Sequence, residues 1–558
     1  MIFFDGAFGT YYIEKTNDSA PCEMANITNP EIVLEIHREY ISAGVNAIKT
    51  NTFGANSENY SRDEINDIIT AGYNLAVMAV KGTNVSVYAD IGNAEGADTY
   101  LEVVEIFINS GARNFLFETL SDFDTIKPAI ELIKNRVEKP GIIVSFAVSQ
   151  EGYSGKGLFY KTLLLEAANN EGVTAAGLNC VCGPAHLLRL INEFHEKAKL
   201  NKPLSVMPNN GYAEIVNGRR VFRNNIEYFA GKMTEMSNAG VGILGGCCGT
   251  TPQHIKALTE KPSAVKDNII SKINYPKNDT RLKLKPIAVE LDPPINNDMS
   301  FLVSAAQKLK GQGVSLITLS DSPLSKCRAD SFLTASYLKN KTGVDVLPHL
   351  TCRDKNYIAI KGSLIGAGFS DIDKVLVITG DPVSFNMNER RAAVFQFNSV
   401  ELAGYISNLN NEIFTENPFS IYGAININAP NFDAELKKCK RKIENGVTIL
   451  YSQPIFSDYG AENLKRAKSE LGCKIYGGIL PVASYRNAVF LNNEVPGIEI
   501  PEEVIESLKD AENVFEISIS FSKGIIERVY DFCDGFYIMT PLKKIELVTK
   551  LIEECFDV

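Results

Sequence analysis

The sequence predicts an α/β protein built as two (β/α)8 TIM barrels in tandem, on three observations. Short apolar runs of strand length alternate with amphipathic stretches of helical length, a pattern that implies parallel strands joined by right-handed crossovers. Eight such runs fill about the first 260 residues, the size of one closed barrel. After a break the same count begins again.

In the first half the runs fall at 2–5 (IFFD), 46–51 (NAIKTN), 85–90 (VSVYAD), 114–118 (NFLFE), 142–147 (IIVSFA), 174–179 (TAAGLN), 204–208 (LSVMP) and 241–246 (VGILGG). Between them, stretches such as Pro30 to His37 and Ala185 to Lys199 have the spacing of helices. Asp5, Asn51, Asp90, Glu118, Cys180, Asn209 and the pair Cys247–Cys248 stand at or just past the C-terminal ends of their runs. In a barrel those ends converge on the face where active sites are built. Any single Asp or Asn there also reads as a cap; the whole set points to one pocket.

The periodicity fails over 263–284. Ser271 to Lys285, rich in Lys, Asn and Asp and containing Pro276, reads as an interdomain linker between domains at 1–262 and 285–558. Beyond it the runs fall at 286–290 (PIAVE), 314–319 (VSLITL), 344–349 (VDVLPH), 374–378 (KVLVI), 419–424 (FSIYGA), 447–453 (VTILYSQ), 474–480 (KIYGGIL) and 535–539 (GFYIM). Phe432 to Asn445 and Lys543 to Glu554 have helical spacing. The second polar rim is Glu290, Thr318, His349, Asp381, Asn428, Gln453 and Lys543.

A chain of 558 residues exceeds what one hydrophobic core sustains. Its 45% hydrophobic and 22% charged content is ordinary for globular proteins, and its net charge of -11 argues against a nucleic-acid or anionic-membrane partner. No basic segment precedes an apolar one at Met1 to Asp5, and no apolar run approaches the ~18 residues that span a bilayer. The cysteines, 11 in number and without a short-spaced framework, suit a reducing compartment. The expectation is a cytoplasmic protein; a homo-oligomer is compatible with it.

Gly245-Gly246-Cys247-Cys248-Gly249 closes one apolar run and Gly177-Leu178-Asn179-Cys180 closes another. Adjacent cysteines do not readily pair with each other. The residues alone leave two readings. Three thiolates at two strand ends supply three ligands of a tetrahedral zinc with its fourth position open, as catalysis requires. Equally, they are two buried free cysteines and one bystander, since free Cys is among the most buried residue types.

Asp5 to Thr10 (DGAFGT), Thr50 to Asn56 (TNTFGAN), Phe117-Glu118-Thr119, Gly177 to Cys180, Pro208-Asn209 and Gly245 to Pro252 occur in that order over residues 1 to about 260. In them the first half resembles the homocysteine S-methyltransferase family, most closely the N-terminal module of cobalamin-dependent methionine synthases. The resemblance implies that Cys180, Cys247 and Cys248 bind Zn2+ and that the homocysteine thiol takes the open position. Zinc keeps a bound thiol deprotonated, and the thiolate is the form that attacks a methyl group. The resemblance also implies a homocysteine site of Asp5, Gly6, Ala7, Asn51, Glu118 and Asn209, with Asp5 and Glu118 on the α-ammonium and the Gly6–Ala7 backbone donating to the carboxylate. Cys182 has no counterpart among the ligands.

Ala288 to Pro294 (AVELDPP), Pro348 to Cys352 (PHLTC), Gly380-Asp381-Pro382, Asn428, Arg441-Lys442, Tyr451 to Pro454 (YSQP) and Gly478 to Val482 (GILPV) run in order across about 285–555. With these the second half resembles methylenetetrahydrofolate reductase, a flavoprotein barrel. The resemblance implies FAD held by Thr318, His349, Gly380, Asp381, Asn428, Arg441 and Lys442, and folate held by Gln453, Asn487 and Lys543. Glu290 is then the general acid that protonates a weakly basic folate nitrogen, with Asp381 and Gln453 fixing the pterin edge. Departures are Val289, Leu291 and Asp292 where the family often has aromatic residues, Thr379 where many members have arginine, Leu491 where several have phenylalanine, and Lys543 in place of an arginine. No GxGxxG fold is present, so NAD(P)H would use the flavin pocket in turn, giving ping-pong kinetics; a redox protein is the other electron donor.

Together the resemblances imply a bifunctional enzyme that methylates homocysteine to methionine and reduces 5,10-methylenetetrahydrofolate to 5-methyltetrahydrofolate. A methyl on folate nitrogen is a poor electrophile, and no cobalamin module is visible. A separate corrinoid protein, a sulfonium donor, or coupling through metabolism alone stays open. Two other readings are a methyltransferase whose second barrel only presents methyltetrahydrofolate to a corrinoid partner, and a non-catalytic flavin- and folate-binding scaffold.

Overall fold

The computed structural model describes residues 1–18, 20–196, 200–216, 219–222, 225–260, 281–323, 327–380, 394–495, 497–509, 511 and 513–557. The chain divides into two compact units. The first carries β1 (Ile2–Phe3), β2 (Ala47–Lys49), β3 (Ser86–Ile91), β4 (Asn114–Leu120), β5 (Gly141–Phe146), β6 (Ala175–Asn179), β7 (Leu204–Met207), an antiparallel ribbon of β8 (Glu214–Val216) and β9 (Arg219–Val221), and β10 (Ile243–Leu244). Apart from the ribbon, the strands are parallel and ordered β1-β10-β7-β6-β5-β4-β3-β2. A parallel bridge between Phe4 and Ala47 joins the two ends, so the sheet closes into a barrel.

Helices separate the strands and start where the local chemistry favours it. Ser61 and Glu64 form a capping box ahead of Arg62–Val80, satisfying backbone donors that the first turn leaves open. Pro184 opens Pro184–His195, whose Leu187, Leu190, Ile191 and Phe194 are buried against the sheet. Inside the barrel Phe4, Ala47, Leu116, Ile143, Ala175, Met207 and Ile243 fill the axis, so it is a packed core with its chemistry confined to the rim.

The second unit carries β11 (Ile287–Leu291), β12 (Leu316–Leu319), β13 (Val346–Thr351), β14 (Lys374–Ile378), β15 (Ser420–Ile425), β16 (Val447–Pro454), β17 (Lys474–Ile479) and β18 (Gly535–Met539), a closed parallel barrel. Closure pairs Ile287 with Phe536 and Glu290 with Met539. Its axis is partly aromatic: the Tyr451 ring lies 4.8 Å from Tyr537 and 5.1 Å from Tyr476, centroid to centroid.

Each apolar run read from the sequence holds a strand. Two features went unread. The ribbon β8–β9 is too short and polar to show a period, and the β17–β18 connection carries three helices, Tyr485–Glu494, Glu502–Lys509 and Val514–Val529. These cover a satellite core that includes Ile498, Ile500, Val504 and Ile505. Residues 263–280 of the expected linker lie outside the described residues. Among the described residues no helix is long and apolar enough to cross a membrane.

Three histidines are buried. His37 has neither ring nitrogen hydrogen-bonded among the described residues, and its ring lies 5.2 Å from that of Phe8. Burial lowers His37 and His254 to about 4 and His349 to about 3. An unfolded imidazole titrates near ~6.5, so the unfolded chain takes up protons that the native chain refuses. The histidine contribution to stability is therefore full above about pH 6.5 and falls as pH drops toward about 4, against an opposite contribution from the raised carboxyls Asp5 and Glu118. Urea melts at a series of pH values test this: His37→Phe should flatten the fall, and an unchanged pH profile would contradict it.

Candidate active sites

Cys180 directly follows β6 with φ 56, and Val181 follows with φ 58. The left-handed region is costly for residues with a Cβ, and most of all for a β-branched one. Hydrogen bonds hold the turn: Cys180 N–H donates to Met207 O at 3.0 Å, and Asn209 N–H donates to Cys182 O at 3.0 Å. Past β10 the chain leaves through Gly246, where a Cβ would fall 2.3 Å from Thr250 Oγ1. Cys247 N–H donates to Pro208 O at 2.8 Å, and Asn210 N–H donates to Cys248 O at 2.9 Å.

These bonds place Cys180 Sγ 3.9 Å from Cys248 Sγ and all three sulfurs within 4.8 Å of one another. A tetrahedral zinc with Zn–S bonds of ~2.3 Å requires sulfurs roughly 3.8 Å apart. The donor set fits that ion. Cys180 is buried, while Cys247 and Cys248 keep partial exposure. Without a cation the thiols resist ionising together: hydrogen bonds to Cys247 and Cys248, then burial, hold the Cys180 thiol well above its ordinary range. Cys182 Sγ turns to Val148 O instead, at 3.3 Å.

Next to the sulfurs lies a buried cluster of charge. Asp5, Asp90 and Glu118 surround Lys49, whose Nζ is 3.9 Å from Asp5 Oδ1 and 3.9 Å from Glu118 Oε2 and donates to Gly246 O at 3.3 Å. Asp5 Oδ2 accepts from Lys49 N–H at 2.9 Å, and Asn179 Nδ2 donates to Glu118 Oε2 at 3.2 Å. Burial raises Asp5 and Glu118 to about 7 against the pull of Lys49. Burial and the Glu118 charge drive Asp90 well above the carboxylate range. Burial opposes the Lys49 charge, but Glu118 and Asp5 outweigh it and the ammonium is stabilised. Asp5 Oδ1, Asp90 Oδ1 and Asn209 Oδ1 are buried with no hydrogen bond among the described residues.

Other expected residues are engaged elsewhere. Asn51 Nδ2 donates to Cys22 O at 2.7 Å and to Asn26 Oδ1 at 3.0 Å, tying down a neighbouring loop. Ala7 N–H donates to Thr250 Oγ1 at 3.0 Å, and Gly6 packs against Thr250 and Tyr40. Lys49 went unread, although period two along β2 puts it on the face of Ala47, which lines the barrel.

In the second barrel, Glu290 is paired in register with Thr318. The Tyr537 hydroxyl donates to Glu290 Oε2, and His349 Nε2 lies 3.9 Å from the same oxygen. His349 is buried and held neutral by that burial, its Nε2 without a hydrogen bond among the described residues. Gly380 has φ 89, and a Cβ there would meet Thr351 Cβ at 3.0 Å. Glu290, Thr318, His349 and Tyr537 thus share one mouth; Tyr537 went unread in its apolar run.

The remaining predicted residues are spread more widely. Asn428 Nδ2 donates to Pro454 O at 3.1 Å and Gly497 O at 3.2 Å. Lys442 is buried with Nζ donating to Ala424 O, and burial lowers its pKa; Arg441 beside it is exposed on the last turn of Phe432–Glu444. Gln453 is exposed on β16. Asn487 Oδ1 accepts from Ala483 N–H at 3.2 Å. Lys543 is exposed, with Nζ 5.5 Å from the Phe301 ring centroid. Asp381 lies outside the described residues.

Comparison with known proteins assigns each barrel separately. Residues 2–261 match the homocysteine S-methyltransferase family, and residues 278–555 match the methylenetetrahydrofolate reductase family. The chain joins a homocysteine S-methyltransferase domain to a methylenetetrahydrofolate reductase domain. Among curated proteins, the methionine synthase of Mycobacterium tuberculosis is 30% identical over 275 residues, covering 44% of this chain. That of Mycobacterium leprae is 28% identical over 300 residues, covering 48%. The chain spans only 22% and 24% of the length of these two relatives. Among solved structures, the metallated homocysteine methyltransferase MmuM of Escherichia coli aligns at 22% identity over 47% of this chain and 96% of its own, with a TM-score of 0.39.

The methyltransferase domain is expected to carry about one zinc per chain, as its sulfur geometry requires. Elemental analysis of purified protein should find it, and Cys247→Ala or Cys248→Ala should lose it. Full occupancy in a variant lacking Cys180, Cys247 and Cys248 together would contradict this assignment.

Proposed function

We propose that the chain is a bifunctional enzyme: the first barrel methylates the thiol of homocysteine, and the second reduces 5,10-methylenetetrahydrofolate to 5-methyltetrahydrofolate. The observation that carries the reading is the sulfur triad beside a buried pocket rich in acceptors and poor in donors. Zinc, when bound, supplies the Lewis acidity that keeps a substrate thiol deprotonated at neutral pH. Asp5 Oδ1 and Asp90 Oδ1 lack donors, and a substrate α-ammonium provides them; Glu118 adds a third carboxylate. Asn209, with its amide oxygen unbonded, orients the rest of the amino acid.

In the second barrel Glu290 is the general acid for opening the methylene bridge. The Tyr537 hydroxyl donates to its carboxyl, and neutral His349 stands 3.9 Å from the same oxygen. Two features suit a flavin: His349 presents a buried nitrogen without a hydrogen bond among the described residues, and Gly380 beside Thr351 takes a φ of 89 that favours glycine. A flavin held there, once reduced by two electrons from NAD(P)H or a redox protein, would supply the hydride. Thr318, Asn428, Arg441 and Lys442 complete its site, Asp381 and Gln453 hold the pterin edge, and Asn487 and Lys543 take the rest of the folate. A separate corrinoid protein as methyl carrier and NAD(P)H or a redox protein as reductant belong to the same proposal.

Glu290→Gln tests the acid. The amide keeps the shape of the pocket, so FAD should stay bound and reducible, while turnover of methylenetetrahydrofolate falls by ~10²-fold or more. Methyltetrahydrofolate binding, which needs no proton, should change far less. Near-normal turnover in this variant would remove Glu290 from the reaction.

A further inference from the structure

Lys49 is the buried cation of the thiol pocket. Its side chain is 7% exposed, and among the described residues its ammonium makes one hydrogen bond, to Gly246 O at 3.3 Å. Asp5 and Glu118 each stand 3.9 Å away, beyond hydrogen-bond reach, so charge holds the ammonium in place and its donor capacity is only partly used. Gly246 immediately precedes Cys247, so the ammonium sits against the backbone that carries one cysteine of the triad.

We propose that Lys49 is a specificity-determining residue of the thiol site, biasing it toward thiols whose α-carbon bears a carboxylate beside its ammonium. The inference rests on the reading that this pocket takes the amino-acid end of homocysteine. A pocket of three carboxylates alone would attract any aminothiol and repel a substrate carboxylate. Lys49 changes that balance, because an internal cation weakens the pull on a bare ammonium and attracts a carboxylate. At separations of about 5 Å in a desolvated site, one unit charge alters affinity by more than tenfold. Of the two expected backbone donors, Ala7 N–H is already bonded to Thr250 Oγ1. A substrate carboxylate is left with Gly6 N–H, and Lys49 supplies the charge that the backbone lacks.

The test is calorimetric binding of two thiols to the purified protein, with no turnover required. One is homocysteine; the other is 3-aminopropane-1-thiol, which is homocysteine without its carboxylate. The wild type should prefer homocysteine by about tenfold or more. Lys49→Met should lose or reverse that preference, chiefly by weakening homocysteine and strengthening the aminothiol, whereas Lys49→Arg, which keeps the charge, should retain it. Lys49→Gln is the companion variant if the methionine protein does not fold, and it should also lose the preference. An unchanged ratio in the neutral variants, or equal weakening of both thiols, would overturn the proposal. If the wild type binds neither thiol, the methyl-acceptor reading fails and takes the proposal with it.

Discussion

Two hydrogen bonds to consecutive carbonyls at the end of β7 hold the first active site together. Cys180 N–H donates to Met207 O and Cys247 N–H donates to Pro208 O. Two ligands from opposite ends of a long sequence interval are thereby hung from one strand exit. Their sulfurs take a tetrahedral spacing that neither segment could impose alone. The left-handed backbone at Cys180 and Val181 is tolerated because β7 over-determines it. Closure of the first barrel serves the same end: the Phe4–Ala47 bridge stands next to the bond from Gly246 N–H to Asp5 O, which ties the Cys247 exit to β1.

The second constraint is charge. Burying three carboxylates beside one ammonium is unfavourable unless the charges are paired and hydrogen-bonded. The barrel meets this incompletely: Asp5 and Glu118 rise to about 7, and acceptors remain unbonded. Such incomplete satisfaction is costly for stability and suits the proposed binding site, where a substrate ammonium would supply the missing donors. In the reductase domain, Glu290 accepts from the Tyr537 hydroxyl and lies 3.9 Å from His349 Nε2, a ring that burial keeps neutral.

Strand positions were legible because both barrels are parallel and buried on both faces, so each strand is a compact apolar run between polar helical stretches. The clustering of the three cysteines was legible for a related reason: thiols just past the ends of such runs have few structural uses. What the sequence concealed depends on side-chain direction. Lys49 and Tyr537 look like an ordinary lysine and an ordinary core aromatic, and only barrel geometry turns them onto Glu118 and Glu290. Asn51 stands in a polar motif at a strand end, yet it ties down the loop at Cys22 and Asn26. Arg441 and Lys442 belong to an outer helix, with Lys442 bonded to β15 and Arg441 facing solvent.

The central claim is that the three cysteines form a metal centre with one position open to a thiol. X-ray absorption at the zinc edge, before and after addition of homocysteine, tests it most directly. The account predicts three sulfur neighbours at about 2.3 Å and one lighter atom in the free protein, changing to four sulfurs when homocysteine is added. A spectrum that already shows four sulfurs, or one that homocysteine leaves unaltered, would contradict it.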